Sequence, residues 1–242
     1  MKKIILGFLL TILAFITAAA IGLAKTGYRM FTEALENKSL SEAVSEIREQ
    51  KSFTPIDKLP DTYTNAVVAV EDHRFFSHNG IDLISIARAA WRNIVSGELA
   101  ESGSTITQQL AKNMFFSGEK SFARKAAELF MAVRIESEYS KEEILELYVN
   151  CIYFGNGYYC VKDACEGYFD KPPENMNEYE CTMLAGIPNA PSIYAPTENI
   201  KLAEERQAQV VESMVRCGYI SDNEAEDIVE RVGADAVQSV PA

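Results

Sequence analysis

The sequence has no CxxC pair, no internal repeat, no clear run of alternating apolar and polar residues, and no excess of basic charge. Each absence removes a class of function. Acidic residues number 35 against 23 basic ones, a net charge of −12, whereas a nucleic-acid binder carries a basic surface. The five cysteines, Cys151, Cys160, Cys165, Cys181 and Cys217, are scattered and odd in number, so a zinc site has no ligand spacing to rest on. Most of them read as small buried residues, although Cys160 and Cys165 are close enough in sequence to consider a disulfide. Without alternation the strands have no signal, and the chain reads as mainly α.

What the sequence does have is one long uncharged run. Lys2 and Lys3 precede residues 4–24, which would span roughly 31 Å as a helix and so match a bilayer core of about 30 Å. The two lysines assign that end to the cytoplasm, while Lys25 and Arg29 on the other flank weaken the bias. A cleaved signal peptide competes, because Ala18-Ala19-Ala20 would suit a peptidase. The length favours an uncleaved anchor, and either way the remainder is exported. Residues 1–25 are therefore read as cytoplasmic N-terminus and signal-anchor, 26–61 as a juxtamembrane helix and a connector holding Pro55 and Pro60, and 62–242 as one globular domain.

Within that domain helices are expected over residues 65–76 and 81–96, from the polar stretch that begins at Gly103 through about Phe115, and over 121–137, 140–149, 162–168, 177–187, 199–217 and 221–232. Ser140 with Glu143 three residues on forms a capping box. Charge is uneven. Residues 103–134 hold five basic side chains, Lys112, Lys120, Arg124, Lys125 and Arg134, against Glu119 and Glu128. Residues 197–242 hold four basic against ten acidic. A positive island in an acidic chain suits an anionic ligand, although a solvated helix face of mixed charge gives the same count.

Two stretches concentrate chemistry. Gly103-Ser104-Thr105-Ile106-Thr107-Gln108-Gln109-Leu110-Ala111-Lys112-Asn113 is dense in hydroxyls and amides, which bind sugar and phosphate oxygens and bury at lower cost than charges. Glu71-Asp72-His73-Arg74-Phe75-Phe76-Ser77-His78 spaces Glu71, Arg74 and His78 to share a face if the helix persists. A carboxylate at a helix end beside Phe75 and Phe76 is placed to have a raised pKa and act as a general base. Lys112, Lys120, Arg124 and Lys125 would neutralise a departing diphosphate. Three further fragments imitate serine penicillin-binding motifs: Ser117-Gly118-Glu119-Lys120, Ser221-Asp222-Asn223 and Lys25-Thr26-Gly27. Their order is wrong, since the KTG element should come last, and they are discarded.

Taken in order, five blocks resemble the peptidoglycan glycosyltransferases of glycosyltransferase family 51, the polymerase domains of class A penicillin-binding proteins and their monofunctional relatives. The blocks are Glu71-Asp72-His73-Arg74-Phe75-Phe76-Ser77-His78-Asn79-Gly80; the polar stretch from Gly103; Arg124-Lys125-Ala126-Ala127-Glu128; Lys141-Glu142-Glu143-Ile144-Leu145-Glu146-Leu147-Tyr148-Val149-Asn150; and Leu184-Ala185-Gly186-Ile187-Pro188-Asn189-Ala190-Pro191-Ser192. Coverage runs from about Pro55 to Val229, and Ser102, Cys160, Cys165 and Cys181 depart from the usual Gly or Ala. The absence of a transpeptidase domain before Ala242 points to the monofunctional type.

The resemblance implies a lysozyme-like helical domain with a smaller membrane-proximal jaw. It implies polymerisation of lipid II into β-1,4 glycan, with inversion and release of undecaprenyl diphosphate, and sensitivity to moenomycin. By the same resemblance Glu71 and Glu128 are the catalytic carboxylates. Asp72, Arg74, Ser104, Thr105, Gln108, Gln109, Lys112, Asn113, Lys120 and Arg124 bind substrate, and Arg74 alternatively orients Glu71. No cofactor is required by it, while a divalent metal, Mg or Mn, at Glu128 is left open. Partners would be lipid II, the growing strand, the bacterial cell membrane and other cell-wall synthesis or division proteins, with no nucleic acid. Trp91, Phe115 and Phe116 are expected at the bilayer surface. Two rival readings stay open: a lysozyme-like hydrolase or lytic transglycosylase, which needs no diphosphate site, and a non-catalytic cell-wall scaffold.

Overall fold

A computed structural model describes residues 2–96, 103–116, 118 and 121–230. Among the described residues there are α-helices and short 3-10 turns but no strand, so the mainly α expectation holds. The helices are α1 (Lys2–Asn37), α2 (Leu40–Arg48), α3 (Asp61–Glu71), α4 (Leu83–Ser96), α5 (Ile106–Phe115), α6 (Phe122–Glu136), α7 (Lys141–Val149), α8 (Val161–Phe169), α9 (Glu178–Gly186), α10 (Pro191–Tyr194), α11 (Ile200–Cys217) and α12 (Asp222–Glu230).

Local chemistry sets many of the ends. Ser39, Ser140 and Asn177 each close a capping box with a glutamate three residues on, which satisfies orphan N–H groups at the starts of α2, α7 and α9. Asp82 caps α4 by accepting from the N–H groups of Ile84 and Ser85. Gly218 takes φ 74° and ends α11 in the left-handed conformation that glycine adopts without strain.

The core is built around α3. Its buried Tyr63, Val67 and Val68 face α9 and α11, and the same core continues through Ile106 and Leu110 of α5, Met131 and Ile135 of α6, and Leu147 and Tyr148 of α7. The long α1 contains an apolar stretch that meets the length and composition for crossing a membrane, in the segment Leu6–Asn37. It does not stop at a membrane exit. Its C-terminal part continues along α6, where Gly27 is required: a Cβ there would lie 2.5 Å from Ala126 Cβ. Tyr28 then meets the Phe130 ring edge-on at 5.4 Å. Leu40, Val44 and Ile47 of α2 are also core residues. The stretch 26–61 thus packs into the body, through Met30, Phe31 and Leu35 of α1, Leu40, Val44 and Ile47 of α2, and Leu59 of the connector.

The aromatic residues expected at a bilayer separate. Trp91 is exposed on α4 beside Leu83, Ile84, Ile94 and Val95, an apolar face open to solvent. Phe116 is instead buried and Phe115 packs partly against the core, since the end of α5 turns both rings inward.

Candidate active site

The helix carrying Glu71 ends on that residue. Asp72 leaves helical geometry at φ −157°, ψ 72°, and its carboxylate turns back to hold the next segments. His78 Nε2 donates to both Asp72 oxygens at 2.9 and 3.0 Å while His78 Nδ1 accepts from the Gly80 N–H at 3.2 Å. Asp72 Oδ2 also accepts from the Ile106 N–H at 3.1 Å, the first turn of α5. Gly80, at φ 83°, lies so close to α6 that a Cβ would stand 3.0 Å from the Ala132 carbonyl oxygen. Its own carbonyl accepts from Thr105 Oγ1 at 2.7 Å and Gln108 Nε2 at 3.1 Å. These bonds fasten the end of α3 to the start of α5, and so set the position of Glu71 against Gln109.

Glu71 Oε2 accepts from Gln109 Nε2 at 2.7 Å, and Gln109 Oε1 accepts from the Tyr148 hydroxyl at 3.3 Å. The amide is thereby held in one orientation. Glu71 Oε1 is buried and, among the described residues, has no hydrogen-bond partner. Burial raises the Glu71 pKa above the ordinary carboxylate value, against the opposing pull of the Gln109 hydrogen bond and of the charges on Arg206 and Lys112. A desolvated carboxylate with one oxygen unengaged is equipped to take a proton.

Glu71 opens into a cleft of about 640 Å³, whose walls include Ser104, Gln109, Arg88, Tyr194 and Arg206. From Ser104 the site connects to α6. Lys125 Nζ donates to Ser104 Oγ at 2.7 Å and lies 3.0 Å from Glu128 Oε2. On the other side Arg124 Nε is 3.1 Å from Glu128 Oε1, an ion pair without hydrogen-bond alignment, while Arg124 Nη1 donates to the Gly118 carbonyl at 2.7 Å. The Glu128 carboxylate is buried between these cations. Its surroundings do not fit a divalent metal, because each oxygen faces a positive side chain. Among the described residues no group of three His, Cys, Asp or Glu side chains gathers as a metal cluster.

The residues singled out in the sequence therefore separate by position. Glu71, Asp72, Ser104, Thr105 and Gln109 line one cleft. Lys112 is exposed on α5 and close enough to act on the charge of Glu71. Arg124 and Glu128 join through Lys125 and Ser104. Arg74 does not orient Glu71: Arg74 Nε donates to Asp82 Oδ2 at 2.9 Å. The helix stops before it, so Glu71, Arg74 and His78 share no helical face. Asp72 and Gln108 are buried in the loop bonds described above, and Thr105 caps α5. Asn113 turns to the Cys151 thiol, which burial pushes up to about 12 against the pull of their hydrogen bond. Lys120 lies outside the described residues. Sequence reasoning passed over Arg88, Arg92, Arg206 and Arg216, which also line the cleft. The acidic composition of α11 hid the last two, and only their spacing around a shared face signals them.

The transglycosylase family profile matches residues 36–215. A Cupriavidus necator protein provisionally named a transglycosylase is 43% identical over 183 residues, covering 76% of this chain and 79% of that one. Penicillin-binding protein 1F of Bacillus subtilis is 42% identical over 184 residues, 76% of this chain and 26% of its own length. Penicillin-binding protein 1A of Neisseria gonorrhoeae is 44% identical over 167 residues, 69% of this chain and 21% of its own. The chain thus spans about a quarter of the first of these penicillin-binding proteins and about a fifth of the second. The crystal structure of penicillin-binding protein 1A from Haemophilus influenzae aligns at a TM-score of 0.45 with 23% identity, covering 74% of this chain and 17% of that one. With the match running from the end of α1 to the last turn of α11, and so through both carboxylate sites, the chain belongs to the transglycosylase family.

Proposed function

We propose that this chain is a peptidoglycan glycosyltransferase that polymerises lipid II into β-1,4-linked strands and releases undecaprenyl diphosphate with inversion. In this reading Glu71 Oε1 takes the proton of the acceptor sugar's 4-hydroxyl. The freed oxygen attacks the anomeric carbon of the growing strand, and the bond from that carbon to the diphosphate breaks with its electron pair going to the diphosphate oxygen. Gln109 holds Glu71 Oε2 and so keeps Oε1 toward the substrate. Lys112, Arg124 and Lys125 offset the charge that develops on the leaving group, and Glu128 keeps the two α6 cations in register. The apolar N-terminal helix tethers the enzyme to the bilayer that holds both substrates, with Lys2 and Lys3 cytoplasmic and the catalytic body outside.

The observation that carries this reading is the buried Glu71 Oε1, without a hydrogen-bond partner among the described residues, on a side chain that lines the same cleft as Ser104, which Lys125 joins to Glu128. The test is incubation of the full chain with labelled lipid II, with and without moenomycin, and separation of polymer on a gel. Polymer is expected, abolished by moenomycin and by Glu71→Gln. Degradation of finished glycan with no use of lipid II, or full activity in Glu71→Gln, overturns the proposal.

A further inference from the structure

The mechanism above leaves one wall of the cleft without a task. Arg88 and Arg92 on α4 and Arg206 and Arg216 on α11 line the same cavity as Glu71. Among the described residues the acids lining it are Glu71, Asp72 and Glu212, and Asp72 is committed to His78 and the Ile106 N–H. Glu212 Oε1 stands 3.6 Å from Arg216 Nη1. Arg206 donates to the Gly186 carbonyl at 3.4 Å and to Gln209 Oε1 at 2.9 Å, and its guanidinium lies 5.8 Å from the Tyr194 ring centre. Arg88 bonds His73 Nε2 at 3.1 Å and Ser85 Oγ at 3.3 Å. Among the described residues neither Arg88 nor Arg206 forms an ion pair with a carboxylate. In a chain of net charge −12, four guanidinium groups around one cavity form a local anion-collecting surface. Neutral partners hold the Arg206 fork in place, which leaves its charge for a ligand and reduces the ordering cost of binding one.

The membrane helix α1 reaches the body along α6, and the leaving diphosphate is met there by Lys125 and Arg124. The α11 wall is built on α3 and α9. The acceptor brings two anionic parts to it, its own diphosphate and the peptide on its sugar, and the planar guanidinium fork matches carboxylate oxygens bidentately. We propose that the α4–α11 arginine wall binds the carboxylates of the peptide carried on the substrate's sugar. This rests on the glycosyltransferase reading, since the peptide enters only with that substrate.

The test compares two substrates on the full chain in liposomes: lipid II with its peptide carboxylates, and lipid II with all of them converted to carboxamides. Binding is measured alongside polymerisation at a pH above the Glu71 titration. The wild type is expected to bind the carboxylate form about tenfold more tightly, the scale of a charge-assisted hydrogen bond. Arg216→Gln should lose about threefold of that preference, and Arg206→Gln with Arg216→Gln nearly all of it, with the amidated substrate bound as before. Glu212→Gln should strengthen binding of the carboxylate form alone. Equal binding of both substrates by the wild type, or equal losses on both in the variants, overturns the proposal. So does weaker competition by undecaprenyl diphosphate in the double variant, which would assign the wall to the diphosphate. Carboxylate-dependent binding without polymer from the wild type would overturn the glycosyltransferase reading and leave the arginine wall standing. Polymer without carboxylate dependence would do the reverse.

Discussion

Glu71 and Glu128 are both buried carboxylates near one cleft, yet their surroundings differ in kind. Among the described residues Glu71 has one neutral hydrogen-bond donor and one oxygen without a partner, and burial raises its pKa. Glu128 sits between Arg124 and Lys125, one cation to each oxygen. The first arrangement favours gaining a proton, while the second favours keeping a charge. In the proposed mechanism the same side chain is a base in one place and a clamp for cations in the other, and the partners make the difference.

The comparison breaks most readily at Glu71. Glu71→Gln is expected to lower kcat by about 10²–10⁴, the usual scale of a general base, in the lipid II polymerisation assay. It should also stabilise the fold. Because the folded pKa is raised, the protonated form stabilises the native state fully at pH below the ordinary carboxylate range, and this is lost as pH rises through the folded value. A glutamine never ionises, so the variant's Tm should exceed the wild type's at pH 8 and converge with it near pH 4. A Tm that falls equally at both pH values would show that Glu71 is a packing residue.

Glu128→Gln should behave in the opposite way. Removing the counter-charge leaves Arg124 and Lys125 facing each other, at a cost of about 2 kcal/mol in chemical denaturation. That is less than the ~3–5 typical of an enclosed pair, because Lys125 keeps access to water. Activity should fall on the order of tenfold, less than for loss of a full oxyanion-hole donor. A loss as deep as that of Glu71→Gln would mean that both carboxylates handle protons.

The smallest effect is also the most diagnostic. Gln109→Leu removes the hydrogen bond that lowers the Glu71 pKa, so the acidic limb of the pH–rate profile should move to higher pH while the plateau rate changes only a few-fold. An unmoved limb would show that some other group controls it.

Much of this was legible in the sequence. Ser140 and Glu143 announce the start of α7, and the uncharged run at residues 4–24 announces the apolar part of α1. Glu71 and Glu128, expected as catalytic, and Gln109, expected to bind substrate, are singled out by their motifs. The limits of the reading are equally specific. Residues 65–76 carry a helical pattern, yet the helix ends at Glu71 because Asp72 bonds His78 and the Ile106 N–H, the latter 34 positions away. Arg74 looks like a partner of Glu71 by spacing and pairs with Asp82. Phe116 looks like a bilayer anchor by hydropathy and is in the core.

Periodicity, caps and charge order are local properties, and for them the sequence alone was enough: the helices, the apolar run and the family blocks follow from residues within a few turns of one another. The pairing of Gln109 with Glu71, the placing of Lys125 between Ser104 and Glu128, and the gathering of arginines from α4 and α11 join residues far apart in the chain. Burial and through-space charge depend on which surfaces meet when the helices pack. That is why only the tertiary structure decided which partners each carboxylate keeps.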